Sequence, residues 1–131
     1  MILNQNKPKI LIVDDDEAFI EMYKEVFTSH GFKVLKAKDG EEALSIAIEE
    51  EPDLILLDIM MPKINGFNVL DIIKATPKTS HIPVVVITAF IKEDYEQHAL
   101  RSGAAEFISK SETTPDKLVA AIERVIAYKK G

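Results

Sequence analysis

The chain of 131 residues has no cysteine and no long apolar run, and no Gly-rich phosphate-binding loop follows its first apolar segment. The absence of cysteine excludes a disulfide framework, a thiolate metal site and a cysteine nucleophile, and it suits a reducing compartment. The N-terminus lacks the basic start and apolar stretch of a signal peptide, and no apolar run approaches membrane-spanning length. We therefore expect a cytoplasmic protein that does not associate with a membrane.

Basic residues are in deficit, with 16 Lys and Arg against 22 Asp and Glu and a formal net charge of −6. This balance disfavours direct nucleic acid binding through a broad basic surface, because that mode neutralises phosphates with Lys and Arg. Hydrophobic residues make up 47% of the chain and charged residues 29%, as in ordinary soluble globular proteins. The length predicts one domain, which we place at residues 9–128, with an extension at 1–8, a tail at 129–131 and no output domain.

Short apolar runs alternate five times with segments of helical periodicity. The runs are rich in β-branched residues and end at loops, as buried strands do. Asp39, with Glu42 three residues later, predicts the start of the second helix, and Thr114 before Pro115 predicts the start of the fifth. The predicted strands are Ile10 to Val13, Phe32 to Lys36, Leu54 to Leu57, Pro83 to Ile87 and Ala105 to Ile108.

Three of the helices are predicted from spacing and from their ends. The third is expected from about Asn65 to Lys74, and the fourth from about Lys92 to Ser102, where Gly103 supplies a stop. The inner face of the first helix is expected to consist of Phe19, Met22, Tyr23, Val26 and Phe27.

Five strand–helix alternations with short connections require a parallel sheet with helices on both faces, because parallel neighbours need crossover connections. The second strand carries Lys33 and Lys36, and the fifth is short and includes Glu106. Charged or short strands belong at sheet edges. The predicted fold class is therefore α/β, a doubly wound five-stranded parallel sheet with the flavodoxin-like order 2-1-3-4-5.

Acidic residues follow two strands that this order makes neighbours. Asp14, Asp15 and Asp16 come directly after the first strand, and Asp58 comes directly after the third. Ligands of such sheets bind beyond the carboxyl ends of the strands where the winding reverses, here between strands one and three. Clustered carboxylates repel one another, and a divalent cation relieves the repulsion. We predict a Mg²⁺ site, because Mg²⁺ takes few protein oxygens and completes its shell with water and phosphate.

Two further polar residues follow strands at the same edge, Thr88 after the fourth and Lys110 after the fifth. A carboxylate can attack a phosphoryl group and form an acyl phosphate, while a cation, an ammonium and a hydroxyl stabilise the transferring oxygens. Asp58, Mg²⁺, Lys110 and Thr88 match these roles. Each residue also has a plain structural interpretation: Asp15 or Asp16 as a helix N-cap, and the others as ordinary strand-end or surface residues.

Four segments resemble, in order and place, the motifs of the receiver domains of two-component response regulators, a family that includes the single-domain chemotaxis response regulator. The segments are Ile10 to Asp16, Leu54 to Pro62 followed by Gly66, Ile87 to Ala89, and Phe107 to Lys110. The resemblance covers nearly the whole chain. It implies the flavodoxin-like fold, a phosphoacceptor aspartate and Mg²⁺ as the cofactor.

The resemblance also implies a role for each residue of the acidic segments. Asp58 is expected to be phosphorylated, and Asp15 is expected to bind Mg²⁺ directly. Asp14 would act on the metal mainly through water, and Met60 would offer its backbone carbonyl oxygen.

Beyond the acidic segments, the resemblance implies that Thr88 is the switch hydroxyl, Phe107 the switch aromatic and Lys110 the lysine of the phosphorylation site. The chain departs from the family at Ser111, where receivers usually have a proline that follows a cis peptide bond. A cis bond without proline costs about 3 to 4 kcal/mol. We therefore expect either a trans peptide or a strained cis peptide here, and the reach of Lys110 depends on which one forms.

These residues predict a phosphorylation-controlled signalling switch and not an enzyme, with at most slow self-phosphorylation from small phosphodonors and slow autodephosphorylation. A histidine kinase or a histidine phosphotransfer protein would supply the phosphoryl group, and helix four, strand five and helix five would bind a downstream protein. Two alternatives remain open: an interaction module of the same fold that never takes phosphate, and a Mg²⁺-dependent phosphohydrolase that passes through an aspartyl phosphate. The phosphohydrolase is less favoured, because the chain has no cap insertion and its acid follows strand three.

Overall fold

The structure is a computed structural model that describes residues 7–61, 64–89, 91–92 and 94–130. Within these residues five strands of one sheet alternate with five helices, and a two-stranded antiparallel pair, Met60–Met61 with Ile64–Asn65, follows the third strand. The sheet strands are β1 (Lys9–Val13), β2 (Lys33–Ala37), β3 (Leu54–Asp58), β4 (Val84–Thr88) and β5 (Glu106–Ser109). The helices are α1 (Glu17–Ser29), α2 (Gly40–Glu50), α3 (Gly66–Ala75), α4 (Tyr95–Arg101) and α5 (Pro115–Lys130). Pro62 of the phosphoacceptor motif, residues 1–6 of the predicted extension and Gly131 of the tail lie outside the described residues.

The described sheet is parallel throughout and has the order β2-β1-β3-β4-β5, which confirms the predicted topology. The inner strands β3 and β4 are buried along their whole length, whereas Lys33 and Lys36 of the edge strand β2 are exposed. Val13 at the end of β1 lies opposite Leu57 of β3. The chain therefore leaves these two neighbouring strands at the same edge of the sheet.

Alternate residues of each inner strand enter two different hydrophobic clusters, because successive side chains of a strand point to opposite faces. Leu11 packs with residues of α2, α3 and α4, whereas Ile12 packs with residues of α1 and α5. The sheet is thus covered by two helices on one face and three on the other. Among the described helices, none combines the length and the apolar character that a membrane span requires.

Two helix starts predicted from the sequence are confirmed. The carboxylate of Asp39 accepts a hydrogen bond from the backbone N–H of Glu42 at 2.8 Å, and the hydroxyl of Thr114 accepts one from that of Lys117 at 3.2 Å. Both bonds satisfy a donor that the first turn of a helix leaves without an internal partner.

Two helix predictions were wrong in detail. Met22 was expected on the inner face of α1, but its side chain is 47% exposed, whereas Ile20 is buried. Met22 lies two positions from Ile20, about 200° around a helix of 3.6 residues per turn, and therefore on the opposite side. The fourth helix begins at Tyr95 and not near Lys92, because Tyr95 N–H donates to the Lys92 carbonyl in a turn before the helix proper.

Candidate functional site

The carboxylates predicted to converge do lie together at the edge where β1 and β3 end. Asp14 directly follows β1 and is 0% exposed, and Asp58 is the last residue of β3 and is 4% exposed. Asp15 lies beside them with an exposed side chain. One carboxylate oxygen from each of these three residues lies within 4.8 Å of the others. Such a set of hard oxygen donors is able to hold a divalent cation.

Asp14 is held at both of its oxygens. Its Oδ1 accepts a hydrogen bond from the backbone N–H of Asp16 at 2.9 Å, and its Oδ2 accepts one from Lys110 Nζ at 2.8 Å. Asp16 itself caps α1, since its Oδ1 accepts from the backbone N–H groups of Ala18 at 3.0 Å and Phe19 at 3.2 Å. The third acid of the run therefore fixes the start of the helix, and the capping interpretation applies to Asp16.

Asp58 is likewise bound through both oxygens. Its Oδ1 accepts from the backbone N–H of Met60 at 2.8 Å, and its Oδ2 accepts from Lys110 Nζ at 3.2 Å. Gly66 packs closely against Ile59, the residue after Asp58, and the Gly66 N–H donates to the Ile59 carbonyl at 3.1 Å. A Cβ atom at Gly66 would lie 2.2 Å from Ile59 Cα and 2.9 Å from the Asp58 carbonyl oxygen. Only glycine fits this close approach of two backbone segments.

Lys110 reaches both buried carboxylates although Ser111 follows it. No peptide bond in the described residues is cis, so the bond between Lys110 and Ser111 is trans. The loop after β5 is fixed by a hydrogen bond from the Lys110 backbone N–H to the Thr88 carbonyl at 2.8 Å. The Lys110 side chain is 16% exposed, and its Nζ lies 4.1 Å from the centroid of the Phe19 ring. The departure from the family motif therefore does not move the ammonium away from the site.

The pKa values in this cluster reflect the burial of charge. Desolvation raises the pKa of Asp14 and outweighs its hydrogen bonds from Lys110 and from the Asp16 backbone. Desolvation, with the nearby charge of Asp14, also raises the pKa of Asp58 against the bond from Met60 and the charge of Lys110. Burial alone would lower the pKa of Lys110, but the hydrogen bonds and charges of both carboxylates outweigh it and raise the pKa. The carboxylates thus lack full compensation for their burial.

Thr88 lies on β4, which is next to β3, and Phe107 lies on the edge strand β5. Thr88 is the last residue of β4 and is fully buried, and it follows Ile87, which pairs with Asp58 across the sheet. Phe107 pairs with Val86 and packs, partly buried, against the cluster on the α2, α3 and α4 face. Thr88 therefore lies at the same edge as the carboxylates, whereas Phe107 lies within the sheet.

Sequence reasoning missed two contributors to the site. Phe19 was assigned only to the inner face of α1, and Gly66 was noted only as part of a motif. The available signal for Phe19 was an aromatic residue one helical turn after an acidic run. For Gly66 it was a glycine at the predicted start of a helix, where a side chain would ordinarily be favoured.

Comparison with known proteins finds a matching family model and curated relatives. A family model described as the response regulator receiver domain matches residues 10–123. The chain is 43% identical over 102 residues to the response regulator PleD of Caulobacter vibrioides, which covers 78% of this chain and 22% of PleD. It is 33% identical over 106 residues to the polar-differentiation response regulator DivK of Brucella anthropi, which covers 81% of this chain and 86% of DivK. The chain thus spans a small part of PleD and most of DivK.

A solved structure shows the same fold. The receiver domain protein from Methanospirillum hungatei, described as CheY-like, superposes with a TM-score of 0.87 at 26% sequence identity. The superposition covers 95% of this chain and 98% of that one. The arrangement of strands and helices described above is therefore that of a whole receiver domain.

Proposed function

Because the chain belongs to the family of response regulator receiver domains, we propose that Asp58 is its phosphoacceptor and that Mg²⁺ is required for the transfer. One observation carries this proposal: the Asp58 carboxylate lies at a strand end, with the Lys110 ammonium at 3.2 Å and with carboxylate oxygens of Asp14 and Asp15 within 4.8 Å. A nucleophile, a fixed cation and a set of metal donors are the parts that phosphoryl transfer needs.

The residues at this edge fit Mg²⁺ by their chemistry. Their donors are hard carboxylate oxygens, and burial raises the pKa values of Asp14 and Asp58, so a cation beside them would favour their charged forms. We assign Asp15 and Asp58 as direct ligands, Asp14 as a ligand mainly through water, and the backbone carbonyl of Met60 as a further donor. When bound, Mg²⁺ supplies positive charge that offsets the repulsion between an anionic phosphodonor and these acids.

Side chains of the protein carry out the other parts of the phosphoryl transfer. A carboxylate oxygen of Asp58 attacks the phosphorus atom and forms the acyl phosphate bond, while the bond between phosphorus and the donor's leaving group breaks. The leaving group departs with the electron pair of that bond. Lys110 Nζ is placed to stabilise the negative charge on the transferring oxygens. Thr88, at the end of the adjacent strand, would donate its hydroxyl hydrogen to the phosphoryl group, and Phe107 would rotate with it.

Receiver domains are signalling modules, and we propose that this one passes its signal by binding. A histidine kinase or a histidine phosphotransfer protein would supply the phosphoryl group, and a downstream protein would bind the surface of α4, β5 and α5. Phosphorylation adds close to two negative charges and new acceptor oxygens, which is enough to shift a two-state surface by about 1 to 3 kcal/mol. The phosphohydrolase alternative is not favoured. The next experiment distinguishes a phosphoacceptor from an interaction module that never takes phosphate.

Incubation with acetyl phosphate and Mg²⁺ is expected to add one labile phosphoryl group, measured by intact-mass spectrometry. Asp58→Asn is expected to abolish the adduct, because the amide is a poor nucleophile. Asp71→Asn removes an exposed carboxylate on α3 and is the matched control that keeps the adduct. Absence of an adduct on the wild-type chain, together with no binding of beryllofluoride, would leave the phosphate-independent module as the better account.

Addition of Mg²⁺ at about ten times its Kd is expected to raise the free energy of unfolding by about 1.4 kcal/mol, because the ion binds the folded state. For a domain of this size, that corresponds to a Tm increase of roughly 5 °C in a thermal melt. Asp15→Asn should remove the increase. Asp16→Asn is the matched control, because asparagine caps a helix as well as aspartate does. A similar increase in both variants, at matched ionic strength, would argue against the assigned ligands.

A further inference from the structure

An aromatic ring lies against the ammonium of the phosphorylation site. The centroid of the Phe19 ring is 4.1 Å from Lys110 Nζ, which is within the range of a cation–π interaction. The Lys110 side chain is only 16% exposed, and such an interaction is stronger where water is excluded. Phe19 is the first ring of a row on α1, with its centroid 4.8 Å from that of Tyr23. The Phe19 ring is therefore packed against the Tyr23 ring.

The contacts around this ring form a closed circuit that returns to Asp14. Asp14 Oδ1 accepts from the backbone N–H of Asp16, whose own carboxylate accepts from the backbone N–H of Phe19. The Phe19 ring lies against Lys110 Nζ, which donates to Asp14 Oδ2 at 2.8 Å. The cap of α1 and the position of the ammonium are thus set by one group of contacts.

Lys110 has a flexible four-carbon side chain, and the carboxylates of Asp14 and Asp58 hold its ammonium through two of the three donors. The loop that carries Lys110 continues through a trans peptide to Ser111. We propose that Phe19 is a positioning residue for phosphoryl transfer, which holds the Lys110 ammonium against Asp58 through its ring face. This inference rests on the proposed phosphoacceptor role of Asp58, and it adds a residue outside the strand ends.

Three variants test the role of the ring. Phe19→Leu keeps an apolar side chain but removes the aromatic face, and it is expected to slow phosphorylation by acetyl phosphate about threefold to tenfold at saturating Mg²⁺. Phe19→Tyr keeps the face and is expected to stay close to the wild-type rate. Phe27→Leu makes the same chemical change in the same aromatic row, at a residue that is 0% exposed. It should cost more stability than Phe19→Leu and leave the rate unchanged.

A second readout does not depend on phosphorylation. In the wild-type chain, the NMR signals of the Lys110 Cε protons are expected at high field because of the ring current of Phe19. The shift should persist in Phe19→Tyr and Phe27→Leu and be lost in Phe19→Leu. Loss of the shift together with the slower rate in Phe19→Leu alone supports the proposal.

Contrary outcomes separate the two proposals. Equal rates for Phe19→Leu and the wild-type chain overturn the positioning role and leave the phosphoacceptor role intact. Equal slowing by Phe19→Leu and Phe27→Leu also overturns it, since loss of packing would then explain both. A wild-type chain that takes no phosphoryl group defeats the phosphoacceptor role and the positioning role with it, whatever the NMR shift.

Discussion

Gly66→Ala is expected to lower the free energy of unfolding by about 3 kcal/mol or more, the upper range for inserting an atom into a packed interior. The added Cβ would lie 2.2 Å from Ile59 Cα and 2.9 Å from the Asp58 carbonyl oxygen. Both are backbone atoms and are unable to rotate away as a side chain does. Urea denaturation followed by circular dichroism measures the loss.

Gly31→Ala separates this clash from the ordinary cost of replacing a glycine. Gly31 has a φ of +88°, and among the described residues other than Gly31 and its two chain neighbours, no heavy atom lies within 4 Å of a Cβ built there. Its replacement is therefore expected to cost only the left-handed backbone penalty of about 1 to 2 kcal/mol. Equal losses of unfolding free energy in the two variants would mean that the backbone after Asp58 moves aside at little cost, which would contradict the close packing. Phosphorylation should also fall in Gly66→Ala, because Asp58 is displaced, and should be unchanged in Gly31→Ala.

Lys110→Met is expected to lower the free energy of unfolding by about 3 kcal/mol at pH 7 without metal, the cost of removing one partner from a buried ion pair. Methionine retains much of the length of the lysine stem but has no charge. The variant leaves Asp14, 0% exposed, and Asp58, 4% exposed, without their shared ammonium. Lys36→Met is the matched control. It breaks a pair with Glu21 at 3.3 Å whose side chains are 52% and 56% exposed, and its effect should stay near zero.

The effect of Lys110→Met should depend on pH. The pKa values of Asp14 and Asp58 are raised above the reference of 3.8 in the folded protein, so the folded state holds these protons more tightly than the unfolded state. Their ionisation therefore lowers stability as pH rises from about 3.8 through the raised values. Removal of the ammonium raises both pKa values further. The difference between variant and wild type should be largest near pH 7 and shrink toward pH 4, and a constant difference would contradict this account.

The two carboxylates also raise the pKa of Lys110. Its pKa is raised above the usual 10.5 by Asp14 and Asp58, so the stability it contributes is complete below that value. The contribution is lost as pH rises through the raised pKa. Lys110 is therefore charged throughout the range from pH 4 to pH 7, and the change of the Lys110→Met effect across this range comes from the two carboxylates.

The sheet order and the acidic edge could be predicted because they follow from patterns within short segments. Charged edge strands and apolar inner strands determined the order, and parallel strands necessarily bring Asp14 and Asp58 to one edge. The exposed position of Met22 was missed because several apolar residues in α1 fit more than one helical face. A spacing pattern does not indicate which of these faces the sheet covers.

The remaining features depend on contacts between distant segments. The ring of Phe19 meets Lys110 across 91 positions of sequence, and no local pattern encodes that meeting. The close approach of Gly66 to Ile59 likewise arises only when the short antiparallel pair has formed. The trans peptide before Ser111 was one of two expected outcomes, and the geometry of the loop after β5 decides between them.

Asp58 is connected through direct contacts to both helical layers of the domain. Through Lys110 it bears on Phe19 and the layer of α1 and α5, and through Ile59 and Gly66 it bears on the layer of α2, α3 and α4. A displacement of this one carboxylate would therefore disturb the packing on both faces of the sheet. Helices on either face of the sheet are thus able to respond to a change that begins at Asp58.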